Sequence, residues 1–156
     1  MPYLRIYIHL VWRTKNHRQV FTSPESRQMI WAHMRENAKE KGIFVDVISG
    51  YTDHCHCLIS LGTDQTIQKV VQLLKGESSH WINKNEEMKQ FIGNQKFEWQ
   101  DKYFAVSVSE SIVGKVREYI NNQETHHKKK TFQEEYDEFI TKYKFSQTYD
   151  GDREFG

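Results

Sequence analysis

Two histidines, His54 and His56, flank a single cysteine inside an apolar run and offer this chain a route to metal chemistry. Because successive side chains on a β-strand point to opposite faces, residues at i and i+2 project to the same side, about 7 Å apart. Residues 55–61 follow Asp53 and are short and apolar, which is typical of a buried strand. Neutral imidazole is a common metal ligand, so the pair predicts half of a metal site. The competing interpretation is that His54 and His56 bind no metal and are simply polar side chains of a strand whose hydrogen bonds are satisfied.

The only two cysteines, Cys55 and Cys57, lie on the same predicted strand. In extended geometry their Cα atoms are near or beyond the limit of about 7 Å for a disulfide, so we expect both to be reduced. Alternation also places them on the face opposite the histidines. One tetrahedral ion therefore cannot collect all four side chains.

A second candidate group is a tyrosine and an amide four residues apart, Tyr119 and Gln123. On a helix this spacing puts both on one face, with Asn122 and His126 close to the same stripe. The alternative interpretation makes Tyr119 an aromatic residue at the edge of the core, because Ile120 belongs to an adjacent apolar stripe.

The elements that must position these groups follow from periodicity and capping. A strand over residues 4–12 precedes a helix over 24–41, which begins after Ser23 and ends at Gly42. Strands over 43–51 and 54–61 are predicted to form a hairpin, and a second helix is predicted to begin at Asp64 or Thr66. The polar residues 84–95 resemble a linker, and a fourth strand lies within 97–108. The order βαββαβ predicts an α+β, ferredoxin-like sandwich with an antiparallel sheet and helices on one face.

Two further helices are predicted after this core. One begins at Ser109 or Ser111 and continues through Gln123, and the other covers residues 132–142. We expect residues 1–145 to form a single domain, and the polar residues 146–156 to form a mobile C-terminal tail.

Composition restricts the class of protein. The chain has 156 residues, 37% hydrophobic and 28% charged, which is ordinary for a globular domain. No apolar stretch approaches the roughly 20 residues of a membrane span, and the N-terminus lacks a secretory pattern, so a cytoplasmic location without membrane association is expected. The net charge of +1 argues against non-specific coating of DNA. Basic residues nevertheless cluster after the first strand and over residues 126–130, either as plain solvated surface or as binding patches.

Taken together and in order, these features resemble the HUH single-tyrosine transposases of single-stranded-DNA insertion sequences, including the repeat-associated tyrosine transposases. The resemblance covers residues 3–143. The segments that carry it are Val-Trp-Arg-Thr-Lys-Asn at 11–16, Asp-His-Cys-His at 53–56, Leu-Lys-Gly at 74–76 with Ser-Ser at 78–79, and Tyr-Ile-Asn-Asn-Gln at 119–123. Two departures are Cys57, where an aliphatic residue is expected, and His17 within the basic loop.

The resemblance implies a function. Tyr119 would be the nucleophile of metal-dependent single-stranded DNA cleavage and strand transfer, through a covalent 5′-phosphotyrosine intermediate. His54, His56 and Gln123 would hold a divalent metal, Mg²⁺ or Mn²⁺. The substrate would be a single-stranded DNA hairpin, and the protein would be a homodimer.

The resemblance also suggests a DNA-binding patch, for which Arg13, Lys15 and Arg18 are the candidate phosphate contacts. One alternative function is a non-catalytic or domesticated nucleic-acid-binding ferredoxin-like module. Another is a small metal hydrolase that acts on a substrate other than DNA.

Overall fold

The computed structural model describes residues 3–127 and 130–143. The predicted tail over 146–156 lies outside the described residues. The elements are β1 (Tyr7–Arg13), α1 (Pro24–Glu40), β2 (Phe44–Gly50), β3 (His54–Ser60), α2 (Ile67–Lys84), α3 (Glu86–Ile92), β4 (Phe104–Val108), α4 (Val113–Asn121), α5 (Gln123–His127) and α6 (Phe132–Tyr143). Short 3-10 turns occupy Lys15–His17 and Glu110–Ile112.

The four strands form one sheet in the order β2-β3-β1-β4, and every neighbouring pair is antiparallel. Strands β2 and β3 form the predicted hairpin, while α1 connects β1 to β2 and α2 with α3 connects β3 to β4. This arrangement confirms the predicted α+β, ferredoxin-like sandwich.

One face of the sheet builds the larger core. Leu10 and Trp12 of β1 and both cysteines of β3 point to this face and pack with residues of α1 and α2, among them Ile30. Cys55 and Cys57 are free and buried, as predicted, and burial raises the pKa of Cys57 to about 12. These thiols are therefore inert packing groups.

The opposite face carries the histidines. In the register of β1 and β3, Arg13 pairs with His54 and Val11 pairs with His56, so these four side chains share one face. Helix α4 packs on the same face, where Ile120 joins a smaller apolar cluster. Helices α1 and α2 of the core thus pack on one face, as predicted, while the amphipathic α4, which follows the core, finds its apolar partners on the histidine side.

Helix starts follow the capping residues. The Ser23 hydroxyl accepts a hydrogen bond from the Ser26 amide at 3.1 Å, and Thr66 caps α2 in the same way. The prediction of a linker over residues 84–95 is wrong, because this segment contains α3. The Asn85 side chain accepts from the Met88 amide at 3.0 Å, and the fully buried Met88 anchors the short helix to the core.

The predicted helix through Tyr119 and Gln123 is divided at Asn122, where α4 ends and α5 begins. Asn122 has φ −95° and ψ 17°, outside the helical range, although its amide still donates to the Glu118 carbonyl at 3.0 Å. The two candidate residues remain neighbours across this bend, since Gln123 Nε2 contacts the Tyr119 carbonyl at 3.5 Å.

Among the helices in the described residues, none combines the length and the apolar character that crossing a bilayer requires.

Candidate functional site

His54 and His56 lie fully buried on the face beneath the C-terminal helices, and each ring has a partner at Nδ1. His54 Nδ1 lies 2.8 Å from Asp53 Oδ1, and His56 Nδ1 lies 2.9 Å from Nε2 of His9. The ring centroids are 5.2 Å apart. These contacts leave the Nε2 atoms of both rings directed toward the helices, which is the arrangement that metal-binding histidines use.

Gln123, the predicted third ligand, is brought to this pair. Its side chain is fully buried, and Oε1 lies 3.0 Å from His54 Nε2. The same oxygen lies 2.9 Å from Nε2 of His127, which ends α5. Helix α5 therefore places two polar groups, one at each end, against the histidine pair.

Tyr119 is half-buried in the last turn of α4, beside the same group. The centroid of its ring lies 5.7 Å from that of His56, 6.4 Å from that of His9 and 5.3 Å from that of His126. Burial raises the pKa of Tyr119 and the Glu135 carboxylate raises it further, against an opposing hydrogen bond with Gln123. The hydroxyl is consequently protonated at neutral pH.

Three further residues lie against the histidine pair and were not predicted as site residues from the sequence: His9, His127 and Glu135. Glu135 of α6 is 1% exposed, and its Oε1 and Oε2 lie 2.6 Å from His56 Nε2 and 2.5 Å from His127 Nε2. His9 could have been found, because strand alternation puts it on the face of Arg13. Glu135 carries a weaker signal, its position three residues after the buried Phe132 on one helix face.

The donor set suits a divalent cation. Ligand atoms of His54, His56 and Glu135 lie within 4.8 Å of one another, and the Gln123 carbonyl oxygen adjoins them. Burial lowers the pKa of His56, so its imidazole is neutral at pH 7 and retains a lone pair for a metal. Burial alone would raise the pKa of Glu135, but the neighbouring His56 and hydrogen bonds with His127 and His56 lower it on balance.

The three predicted DNA contacts differ in exposure and in their partners. Arg13 is 8% exposed, with Nη2 3.6 Å from Asp53 Oδ2 and its guanidinium 4.5 Å from the centroid of the Phe132 ring. Lys15 and Arg18 are exposed. Lys15 Nζ lies 2.9 Å from Glu98 Oε2, and Arg18 Nη1 donates to the Lys96 carbonyl at 3.3 Å.

A pocket of about 530 Å³ opens beside the cluster. Its lining includes the cations Arg13 and Lys130, the aromatic rings of Tyr51 and Phe132, and His127. Cationic groups and flat rings in one pocket provide contacts for phosphates and planar ligands.

The chain is similar to known transposases. The sequence profile of the family described as "Transposase IS200 like" matches residues 3–123. The ISDra2 transposase TnpA of Deinococcus radiodurans is 28% identical over 116 residues, which span 74% of this chain and 81% of the relative.

Two solved structures share the fold. The crystal structure of a protein assigned as a transposase, from Deinococcus radiodurans R1, aligns with a TM-score of 0.58 and 25% identity over 79% of this chain and 95% of that one. A REP-associated tyrosine transposase, bound to a REP hairpin, aligns with a TM-score of 0.58 and 14% identity over 81% of this chain and 72% of that one. Because the family profile covers most of its length, the chain belongs to the IS200-like transposases, the family of single-tyrosine HUH enzymes.

Proposed function

We propose that the protein is a transposase that cleaves and rejoins single-stranded DNA, with Tyr119 as the nucleophile and a divalent metal held by His54, His56 and Gln123. The observation that carries this proposal is the meeting of all four residues in one chain. The Tyr119 ring lies 5.7 Å from the His56 ring, and Gln123 Oε1 lies 3.0 Å from His54 Nε2.

The chemistry matches the properties of these groups. A protonated tyrosine is a weak nucleophile at neutral pH, so its attack depends on stabilisation of charge at the phosphate. His54, His56 and Gln123 would hold a Mg²⁺ or Mn²⁺ ion, which would supply positive charge to a non-bridging phosphate oxygen. The Tyr119 oxygen loses its proton and forms a bond to phosphorus while the bond from phosphorus to the 3′ oxygen breaks. The leaving 3′ oxygen takes up one proton, so the net change is transfer of the tyrosine proton to the new 3′-hydroxyl. The 5′ phosphate stays on Tyr119.

The covalent link preserves the energy of the broken phosphodiester. A different 3′-hydroxyl can therefore attack the phosphotyrosine, release the tyrosine hydroxyl and join two strands without ATP. This reversal is what distinguishes a strand transferase from a hydrolase that uses the same residues.

The proposed substrate is a single-stranded DNA hairpin. The support is the family, together with a structural neighbour that is bound to a REP hairpin. Lys15 and Arg18 are exposed and suited to contact backbone phosphates, while Arg13 lines the pocket beside the cluster. Tyr51 and Phe132 of that pocket offer rings on which an unpaired base can stack.

We further propose a homodimer, as the resemblance to this family implies. Tyr119 would act in cis, because it lies beside His56 and His9 of its own chain.

Covalent capture tests the proposed chemistry. Single-stranded and duplex DNA from the flanks of the encoding gene, labelled at the 3′ end, is incubated with the protein and Mg²⁺ or Mn²⁺. We expect a labelled, denaturation-resistant adduct from single-stranded DNA with the wild type, and none with Tyr119→Phe, which keeps the ring but lacks the attacking oxygen.

Tyr103→Phe is the matched control, since this half-buried tyrosine packs against the other core and should keep adduct formation. An adduct with Tyr119→Phe would show that the nucleophile is misassigned. Binding without cleavage by the wild type would favour the non-catalytic nucleic-acid-binding module. Turnover that survives Tyr119→Phe would favour the small hydrolase.

A further inference from the structure

Glu135 occupies an unusual position for a carboxylate. It is 1% exposed, and its two oxygens separately contact His56 Nε2 at 2.6 Å and His127 Nε2 at 2.5 Å. Removing a carboxylate from water is costly unless a positive group compensates for its lost hydration. Helix α6 therefore places a negative group beside the predicted metal ligands, where a bound cation would compensate for its lost hydration.

The hydrogen-bond directions around the cluster point the same way. His54 Nδ1 faces the Asp53 carboxylate, and His127 Nδ1 faces the Lys130 carbonyl at 2.9 Å. Both partners can only accept, so Nδ1 of each ring donates to its partner, and Nε2 is the atom that each ring turns toward the cluster. Both Nε2 atoms face Gln123 Oε1, and that of His127 also contacts Glu135 Oε2.

The donor atoms lie close enough together to share one ion. Ligand atoms of His54, His56 and Glu135 lie within 4.8 Å of one another, and Gln123 Oε1 lies 3.0 Å from His54 Nε2. His127 Nε2 contacts Glu135 Oε2, so Glu135 Oε1 is the oxygen that faces the histidine pair. Carboxylates that bind metals are commonly held by such a second partner.

We propose that Glu135 is a fourth donor to the metal of His54, His56 and Gln123, which makes α6 part of the metal centre. This inference rests on the proposed function, because it assigns a further ligand to the same metal. The family profile ends at residue 123, so the carboxylate comes from a helix beyond the matched segment. A carboxylate oxygen beside an amide oxygen and two imidazoles favours Mn²⁺ or Mg²⁺ more than the imidazoles alone would.

Calorimetric titration of the full chain with Mn²⁺ alone tests the assignment. Glu135→Gln keeps the shape of the side chain but removes its charge, so we expect the affinity to fall by at least about tenfold. Glu134→Gln is the matched control, because its neighbouring carboxylate is exposed and should leave the affinity unchanged. An affinity of Glu135→Gln equal to that of the wild type, or a tighter one, would overturn the proposal. The tighter value would indicate that Glu135 competes with the metal.

Glu135→Asp provides a second variant if Glu135→Gln does not fold. It keeps the charge but shortens the reach, and we expect weaker Mn²⁺ binding, whereas unchanged binding would contradict ligation. Adduct formation at saturating Mn²⁺ separates the two proposals. If Glu135→Gln binds Mn²⁺ normally and still forms the adduct, only the ligand role of Glu135 fails. If the wild type binds Mn²⁺ but forms no adduct, the proposed function fails and the affinity comparison still stands.

Discussion

Each histidine of the pair owes its orientation to a partner at Nδ1, and the two partners differ in kind. The partner of His54 is a carboxylate, with Asp53 Oδ1 2.8 Å from His54 Nδ1. The partner of His56 is an imidazole, with His9 Nε2 2.9 Å from His56 Nδ1. Burial lowers the pKa of His9 well below its ordinary value. The anionic partner makes its imidazole a stronger electron donor, so Asp53 should matter for metal affinity although it is not itself a proposed ligand.

Asp53→Asn tests this positioning role. The amide preserves the size of the side chain but removes the charge that faces His54 and Arg13, so we expect Mn²⁺ affinity to fall by about 10- to 100-fold. Calorimetric titration measures the change. Asp64→Asn alters an exposed carboxylate in the loop before α2 and should have no effect. Equal Mn²⁺ affinities for Asp53→Asn and Asp64→Asn would show that Asp53 has no positioning role in metal binding.

At the scale of elements, the histidine strand depends on the tight approach of β2 to the start of β3. Tyr51 donates its amide to the His54 carbonyl at 3.1 Å, and Gly50 pairs with Cys55. A Cβ atom at Gly50 would lie 2.1 Å from the His54 carbonyl oxygen and 2.9 Å from Cζ2 of Trp31. Only glycine fits here without displacing the backbone that carries His54.

Gly50→Ala should therefore destabilise the protein, by about 1–3 kcal/mol of unfolding free energy, because the added methyl group forces the two strands apart. Urea unfolding of the metal-free protein measures the effect. Gly76→Ala is the contrasting control within α2, where an added Cβ would meet no atom within 4 Å. It should stabilise the protein by up to about 1 kcal/mol. Similar stabilities for the two variants would contradict the steric argument.

At the scale of the whole molecule, the two faces of the sheet differ in what packs against them. One face packs against α1 and α2 and forms the larger apolar core, while the other holds the polar cluster under α4, α5 and α6. Arg27 of α1 connects the two sides at the edge, with Nε 2.8 Å from Glu124 Oε1 in α5. The apolar face thus supports a rigid platform on which buried polar groups can be held.

The cis arrangement predicts the outcome of a complementation experiment. Tyr119→Phe and His56→Ala chains, carrying different tags, are produced together so that mixed dimers can be isolated. If Tyr119 acts on the metal site of its own chain, no mixed dimer contains an intact site, and we expect no covalent adduct. Mixed dimers of wild type and Tyr119→Phe are the positive control. Recovery of adduct in the first mixture would mean that Tyr119 acts in the partner subunit.

Local pattern determined much of the architecture and half of the candidate site. Alternation along a strand sufficed to put His54 and His56 on one face and the cysteines on the other, and capping residues located α1 and α2. It failed at α3, where the polar composition of residues 84–95 concealed an Asn85 cap and one buried anchor, Met88.

The tertiary structure alone decided which distant groups meet the histidine pair. Gln123 reaches His54 across 69 residues, and Glu135 arrives from α6, because helices α4 to α6 pack over the sheet face that carries the histidines. That the tyrosine and the amide meet the histidines was expected only through resemblance, and His9, His127 and Glu135 were not predicted as part of the site. Spacing along the chain reports local geometry, whereas these contacts arise from the packing of whole elements, which no short motif encodes.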